Sequence, residues 1–557
     1  MIRTLAIAGV SLLAISAHAQ GLRSTSLGEI DPWGVGALST RELEALPQGL
    51  WDNSSATQLE TLFVTTDVHA LSPAMRDLVR RALLSPARRP DVENAASLLG
   101  LRLSLVRELG DLDAYNHFVR QISGQPGVPS QVELEIDMDL ARGNLASACS
   151  RVRASTEVTG YLLNARAVCF ALSGELGSAE LALEFARNEG AEDPWLIAAV
   201  GAVDENFKGR KPTADFSTGL KLALSIAGNL PIAKEDGYAS LTPMVAAELI
   251  KRSDISRGFR IVAADIAARA DVISYDTYRN AYFSDMPAMP EPPPPPLEGE
   301  PAPEPEEIER PEPINPLDAA LMATRDRTMN ERARAEAFAA ALTATEPDLK
   351  AYLATAGALM PELQNIRNQN LIVEYGEVFA LAAIATGDTD LSQRFTSGTV
   401  FEGGPQPDEY ALAWIDGVRI LAGIDESAES VRVVSSRLAR NASDDTRAKA
   451  ARMLYMFSVM GSSIAPDARE FLASTNAKVL NTGERIDLQT QLLTETALTS
   501  DALGEGVFRV AAAAGEDPTQ LNMFDLGLLV RTLRAEGFEG SARALAIEGV
   551  GFQRPKS

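Results

Sequence analysis

Apolar residues recur with helical spacing along most of the chain. In the first half the pattern is clearest at residues 94–108, 160–173 and 178–188, where apolar side chains lie three and four residues apart. That spacing places them on one face of an α-helix. Valine, isoleucine and threonine are scattered and do not alternate with polar residues, so no strand pair is predicted. The pattern indicates an all-α protein.

The same pattern returns in the second half, at residues 317–342, 371–386, 410–422, 428–440 and 446–460. Between the halves, residues 286–316 contain 13 of the 31 prolines and eight glutamates. Proline lacks a backbone donor and fixes φ, so neither a helix nor a sheet runs through this segment. We therefore predict two helical arrays, residues 55–285 and 317–557, joined by an extended acidic linker.

A short glycine-led sequence recurs between the predicted helices. Gly-Asn-Leu-Ala-Ser-Ala begins at Gly143, and a close copy begins 31 residues later at Gly174. Related copies begin at Gly423 and Gly537, and a looser one begins at Gly110. Glycine adopts positive φ easily and so ends a helix, while the small residues let the next helix begin close to its partner. A period of about 31 to 34 residues is typical of helix-turn-helix solenoids.

These units resemble the tetratricopeptide-repeat superfamily. Two units, residues 160–194 and 521–549, match its packing positions best, and together they cover about 60 residues. The residues at those positions are Leu163, Ala167, Phe170, Ala179, Leu183 and Ala186 in the first unit, and Leu526, Val530, Leu533 and Ala542 in the second. The resemblance implies stacked helical hairpins with a groove that binds peptides or partner proteins. Asp139 and Asp416 stand where a packing residue is expected, so several units should be irregular.

The N-terminus has the pattern of an export signal. Arg3 precedes an apolar run at residues 5–17, and Ala17-His18-Ala19 fits a small-x-small cleavage site. We predict a signal peptide at residues 1–19, cleavage after Ala19, and a periplasmic or secreted mature protein. No other apolar stretch reaches the ~18 residues that a membrane helix needs, so no integral membrane segment is predicted.

Residues 20–54 form a predicted N-terminal arm. Trp33 and Trp51 flank a short helix expected to begin at Ser39, because Ser39 and Glu42 have the spacing of a capping box. Two interpretations remain open for this segment. It is either a clasp laid across the first helices or a docking arm for a partner.

Cys149 and Cys169 are the only two cysteines of the chain. The helices that carry them should run antiparallel around a turn near Val158, which places the two side chains at matching heights. An exported protein can keep a disulfide, so we predict that these residues form one. The alternative is a pair of buried free thiols in alanine-like packing positions.

The charge and the scarcity of histidine narrow the possible functions. The formal net charge is −25, which argues against nucleic acid as a partner because phosphate binding needs clustered lysine and arginine. Only His69 and His117 lie outside the predicted signal peptide, too few with two cysteines for a zinc site. No nucleophile-elbow, metalloprotease or phosphate-loop motif occurs. We therefore predict no metal site, no cofactor and no catalytic residue.

The leading hypothesis is a non-catalytic periplasmic scaffold or adaptor that binds proteins of a cell-envelope assembly. The first alternative is an envelope enzyme that acts on glycan through a pair of carboxylates about 5–10 Å apart in a cleft. The second is a self-associating structural protein. The sequence identifies neither the partner nor the oligomeric state.

Overall fold

The computed structural model of the chain describes residues 31–38, 44–122, 128, 130–204, 206–234, 237–289, 311–397 and 408–552. Within these ranges it contains 27 α-helices and no β-strand, so the predicted all-α fold class is confirmed. An isolated bridge joins Glu484 and Leu521. The predicted signal peptide, the expected capping box at Ser39 and most of the linker lie outside the described residues.

The helices fall into two groups around the linker. The first group is α1 Ala56–Thr65, α2 Pro73–Leu84, α3 Ala95–Leu109, α4 Leu112–Ile122, α5 Gln131–Ala141, α6 Leu145–Ala154, α7 Gly160–Leu172, α8 Leu176–Asn188, α9 Pro194–Ala202, α10 Gly219–Ala227, α11 Pro243–Leu249, α12 Arg257–Arg269 and α13 Tyr275–Phe283. The second group is α14 Pro316–Arg325, α15 Glu331–Thr345, α16 Leu349–Leu363, α17 Gln369–Ala385, α18 Thr389–Thr396, α19 Glu409–Leu421, α20 Ala428–Asn441, α21 Arg447–Val459, α22 Pro466–Ser474, α23 Ala477–Leu480, α24 Leu488–Thr499, α25 Leu503–Ala514, α26 Met523–Ala535 and α27 Glu539–Val550. None of these described helices has both the length and the apolar character that crossing a bilayer requires.

Neighbouring helices pair as hairpins, and glycine turns join several of them. The pairs α5–α6, α7–α8, α19–α20 and α26–α27 each pack closely. The glycines predicted to end the first helix of a unit all have positive φ, between 79° and 86°: Gly110, Gly143, Gly174, Gly423 and Gly537. The predicted turn mechanism is therefore confirmed at these positions.

The predicted repeat-packing residues lie in the helix–helix contacts. Nine of the ten are buried: Leu163, Ala167, Ala179, Leu183, Ala186, Leu526, Val530, Leu533 and Ala542. Phe170 is half-buried and packs against the same core as the other residues of its unit. This burial is what paired helices require, and the relation to tetratricopeptide repeats stays a prediction.

The two aspartates at expected packing positions are each paired within a hairpin. Asp139 on α5 accepts hydrogen bonds from the Ser147 hydroxyl at 2.7 Å and from Arg151 Nε at 3.2 Å, both on α6. Asp416 on α19 accepts a hydrogen bond at 3.0 Å from Arg437 on α20. A polar pair thus joins the two helices where an apolar contact was expected.

The continuous helical segment predicted at residues 317–342 is wrong. The structure divides it into α14 and α15, separated by a turn at residues 326–330. Asp326 Oδ1 accepts the N–H of Thr328 at 2.8 Å, and the Asn330 side chain caps α15 by accepting the N–H of Ala333 at 2.8 Å. Side-chain bonds of this kind compete with the helix for backbone donors and end it.

The described part of the N-terminal arm joins the two halves of the chain. Trp33 and Trp51 are buried, and their ring centroids lie 6.0 Å apart. Trp51 also packs against Phe63 of α1 at 5.5 Å and against Phe508 of α25 at 6.2 Å. Of the two interpretations of the arm, the clasp fits this burial, and it reaches beyond the first helices to α25.

The halves also meet beside the linker. Asp318 on α14 is fully buried, and it accepts hydrogen bonds from Arg257 of α12 at 3.0 Å and from the N–H of Ile314 at 2.9 Å. The Asn315 side chain donates to the Tyr282 hydroxyl of α13 at 2.9 Å. Helices α13 and α14, on either side of the linker, therefore contact each other directly. One apolar core includes residues of both halves, from Trp33 to Phe552, while helices α5–α12 also pack around two further cores within the first half. The boundaries of the two arrays stay a prediction.

Two buried glutamates from the last helices cap the first two helices. Glu505 on α25 accepts the N–H of Ser55, the residue before α1, whose own side chain makes no capping bond. Glu548 on α27 accepts the N–H of Ala74 in the first turn of α2 at 2.8 Å. Burial raises the pKa of both carboxyls, that of Glu548 to about 7. The contact of α1 and α2 with α25 and α27 therefore contains two acids that are harder to ionise than exposed glutamates.

The predicted disulfide pair is brought together. Cys149 on α6 and Cys169 on α7 are buried, with their sulfur atoms at bonding distance and their Cα atoms 5.6 Å apart. That Cα separation lies within the range of disulfides in proteins. Helices α6 and α7 follow each other across a short turn and pack together, which brings the two cysteines to this distance.

We predict that Glu548 makes stability depend on pH. Its folded-state pKa of about 7 lies above the ordinary 4.5, so the folded state holds the proton more tightly than the unfolded state. The resulting stabilisation is complete below pH 4.5 and is lost as the pH rises through 7. Glu548→Gln keeps the acceptor for Ala74 without a charge. It should raise the free energy of unfolding at pH 8 by up to roughly 3 kcal/mol relative to the parent.

Urea unfolding at pH 5 and at pH 8 measures this effect. Glu536→Gln, on the exposed face beyond α26, is the matched control and should leave the difference between the two pH values unchanged. The assignment to Glu548 is wrong if Glu548→Gln leaves that difference at its parental value.

We predict that Cys149 and Cys169 are crosslinked in the folded protein. Intact-mass measurement after alkylation should detect no free thiol without reductant and two with it. The double variant Cys149→Ala, Cys169→Ala should lose about 3 kcal/mol of unfolding free energy, the chain-entropy value for a loop of about this length. Reduced parental protein is the control and should lose a similar amount. Two thiols alkylated without reductant would refute the crosslink.

Candidate functional site

A cleft of about 460 Å³ opens among helices of the first half. Volumes of this size are typical of sites that hold a small molecule or a few side chains. Helices α3, α4, α5, α7 and α11 supply most of its walls. The lining residues are His69, Ser104, Arg107, Glu108, Tyr115, Glu133, Leu134, Asp137, Met138, Tyr161, Thr218, Thr242, Pro243, Met244 and Val245.

Arg102 fixes the position of α3, which forms one wall of the cleft. Its guanidinium group is buried and donates to the backbone carbonyls of Leu83 at 2.8 Å, Ser85 at 2.8 Å and Trp33 at 3.2 Å. It also lies 5.1 Å from the ring centre of Phe118 on α4. Burial lowers the pKa of Arg102 to about 9, which still leaves it charged at neutral pH. One side chain thus ties the arm, the end of α2, α3 and α4 together.

Helix α5 gives the cleft two parallel rows of side chains. It begins after a capping box, in which Ser130 and Glu133 each accept the other's N–H at 3.2 Å. Residues four apart lie above one another on a helix. Glu133 and Asp137 therefore form an acidic row, and Leu134 and Met138 form an apolar row beside it.

Both carboxylates of the acidic row hold neighbouring helices in place. Glu133 also accepts a hydrogen bond from the hydroxyl of Thr159, the residue that caps α7. Asp137 Oδ1 accepts from the Tyr161 hydroxyl at 3.1 Å and from the N–H of Leu220 in the first turn of α10 at 3.2 Å. Burial raises the pKa of Asp137, and the hydrogen bonds that it accepts oppose that rise. The carboxylates of Glu133 and Asp137 therefore face the cleft and also hold α7 and α10 in place.

Gly219 lets α10 approach α5 closely enough for Asp137 to cap it. A Cβ atom at Gly219 would lie 1.8 Å from the backbone oxygen of Asp137. No side chain fits at that distance, so the junction requires glycine.

Two charged side chains at the rim of the cleft, those of Arg107 and Glu108, are not used to hold helices together. No hydrogen bond or salt bridge ties the side chain of Arg107 or Glu108 to another described residue. Burial, followed by the nearby carboxylate of Asp67, raises the pKa of Glu108. Burial, followed by the positive charge of Arg76, lowers the pKa of His69. Burial likewise raises the pKa of Tyr115 and Tyr161, so both phenols stay protonated.

The arrangement is suited to binding. An apolar floor of Leu134, Met138 and Met244 lies beside polar groups that can orient a ligand. Of the three lining carboxylates, only Glu108 lacks a bonded partner. The described residues contain no group of three or more histidine, cysteine or acidic side chains placed to hold a metal ion.

The residues singled out from the sequence lie mostly elsewhere. The repeat-packing positions and the two cysteines belong to hairpin contacts, while His117 packs edge-on against Phe118 at 6.5 Å. Only His69 reaches the cleft. The acidic and apolar rows of α5 are visible in the sequence and could have indicated a binding face. The pattern of a single helix does not show, however, that this face meets α3 and α11.

Comparisons with known proteins identify no relative. No protein-family model, no curated protein and no solved structure matches this chain. The function must therefore be inferred from the cleft itself.

We predict that Asp137 is required for the stability of the cleft wall. Asp137→Ala removes the acceptor for Leu220 and Tyr161, and it should cost about 1–3 kcal/mol because buried donors lose their partner. Thermal and urea unfolding measure the loss. Asp137→Asn retains an acceptor oxygen and should cost less, and exposed Asp91→Ala should have little effect. Equal stability of Asp137→Ala and Asp91→Ala would contradict this role.

Proposed function

We propose that the protein is a non-catalytic scaffold or adaptor of the cell envelope that binds a segment of a partner protein in the cleft. The observation that carries the proposal is the make-up of the cleft. Its floor is apolar, and both carboxylates of the α5 row already hold α7 and α10 in place. A surface of this kind favours binding an apolar segment over chemistry that needs free acid and base groups.

The proposal includes an exported location, periplasmic or secreted. The N-terminal residues have the charge, the apolar run and the cleavage pattern of a signal peptide. The placement of Cys149 and Cys169 at bonding distance also suits an oxidising compartment.

The contacts between the halves favour one binding body over two arrays that move separately. The arm and α1 pack against α25, and α12 and α13 pack against α16. A partner bound in the cleft would therefore be held against a body that includes both halves. The same packing gives no support to a linker that would let each half bind a different partner.

A second candidate function rests on Glu108. It is the lining carboxylate without a bonded partner, and its raised pKa suits a general acid. An enzyme acting on envelope glycan would use such a group together with a second lining carboxylate, Glu133 or Asp137.

We predict that the cleft contacts a partner in the cell. A photo-crosslinking amino acid in place of Ser104, an exposed residue at the rim, should capture one dominant envelope protein identified by mass spectrometry. The same amino acid in place of Gln489, exposed on α24, is the control and should not capture it. Ser104→Trp places a bulky side chain at the mouth of the cleft and should abolish capture of the same partner by a chemical crosslinker.

Two results would overturn the scaffold proposal. One is identical capture from positions 104 and 489, which would place binding elsewhere. The other is release of soluble fragments when purified protein is incubated with peptidoglycan, with that release lost in Glu108→Gln. This second result would establish the enzyme.

A further inference from the structure

The lining of the cleft is unevenly charged. Carboxylates of Glu108, Glu133 and Asp137 face it, and Asp67 lies close enough to Glu108 to raise its pKa. Among the lining residues only Arg107 carries a permanent positive charge. His69 is the other basic group, and its lowered pKa keeps it neutral at neutral pH. The balance of charge is negative, so a ligand that brings a positive charge is favoured.

The apolar row lies directly beside this negative charge. Leu134 and Met138 occupy the α5 face next to Glu133 and Asp137, and Met244 faces them from α11. From Glu133 to Met138 the two rows follow about 7.5 Å of helix axis, because each residue rises about 1.5 Å. Methionine side chains are flexible and adapt to ligands of different shape.

We infer that the cleft binds an extended peptide segment in which a lysine or arginine stands next to an apolar residue. The inference rests on the proposed function and specifies the chemistry of its partner. The basic side chain lies along the acidic row, and the apolar neighbour fills the floor between Met138 and Met244.

The rim favours a peptide over a small organic cation. The Arg107 side chain, which makes no hydrogen bond to another described residue, can donate to backbone carbonyl oxygens, while Glu108 can accept a backbone N–H. A small amine would use the acidic row alone and would leave the apolar floor uncovered. The cleft therefore matches a ligand that has charge, apolar surface and backbone groups together.

Fluorescence anisotropy with three labelled heptapeptides tests the inference on the full mature chain. The first is Ala-Ser-Leu-Lys-Leu-Ser-Ala, the second has glutamate in place of lysine, and the third has serine in place of both leucines. The first peptide should bind at least tenfold more tightly than either of the others. Glu108→Lys should weaken its binding about tenfold, because it reverses a charge at the rim without removing a structural bond.

Glu180→Lys makes the same change of charge on the exposed face of α8 and should leave binding unchanged. Urea unfolding of each variant verifies that the fold is retained. The variant Ser104→Trp should abolish binding of all three peptides.

Each other outcome has a definite meaning. If the lysine and glutamate peptides bind equally and Ser104→Trp abolishes both, the proposed peptide site stands and the preference for a basic segment is refuted. If spermidine competes as well as the first peptide, or the serine peptide binds as tightly, the cleft is a small-cation site and the inference is overturned. If no peptide binds, the inference fails, and the crosslinking from position 104 decides separately whether the proposed function fails with it.

Discussion

Trp51 packs between Trp33 of the arm, Phe63 of α1 and Phe508 of α25, and this aromatic contact holds the beginning and the end of the described chain together. Large aromatic side chains contribute more to burial than the alanines and leucines that fill most of this core. Gly504 on α25 lies against the Trp51 ring, where a Cβ atom would come within 2.4 Å. The contact therefore depends on the indole on one side and on the lack of a side chain on the other.

The cleft depends on the same packing through α3. Helix α3 contacts α1 and α2 on one side and α11 on the other. The backbone carbonyls that receive Arg102 belong to the arm and to the end of α2, so the wall carrying Arg107 and Glu108 is positioned by the clasp. A cleft of modest size is thus supported by contacts that extend to the last described helices.

The sequence predicted local structure well where one residue determines it. The turn glycines at Gly143 and Gly174 have positive φ because the reversal of the chain requires it, and Cys149 lies next to Cys169 because a short turn aligns two helices. The break at residues 326–330 was missed because Asp326 and Asn330 act through side-chain bonds that a hydrophobic period does not show. The cleft was also missed. It forms where α3, α5 and α11 meet, and no local pattern specifies how distant helices are arranged.

The caps that Glu505 and Glu548 place on α1 and α2 join residues 450 and 474 positions apart in the sequence. Contacts of such separation form late in folding, because nearly the whole chain must be ordered before its ends can meet. In the proposed export with the N-terminus first, α1 and α2 emerge before α25 and α27. During that interval the faces of Trp51 and Phe63 that pack against Phe508 of α25 stay uncovered.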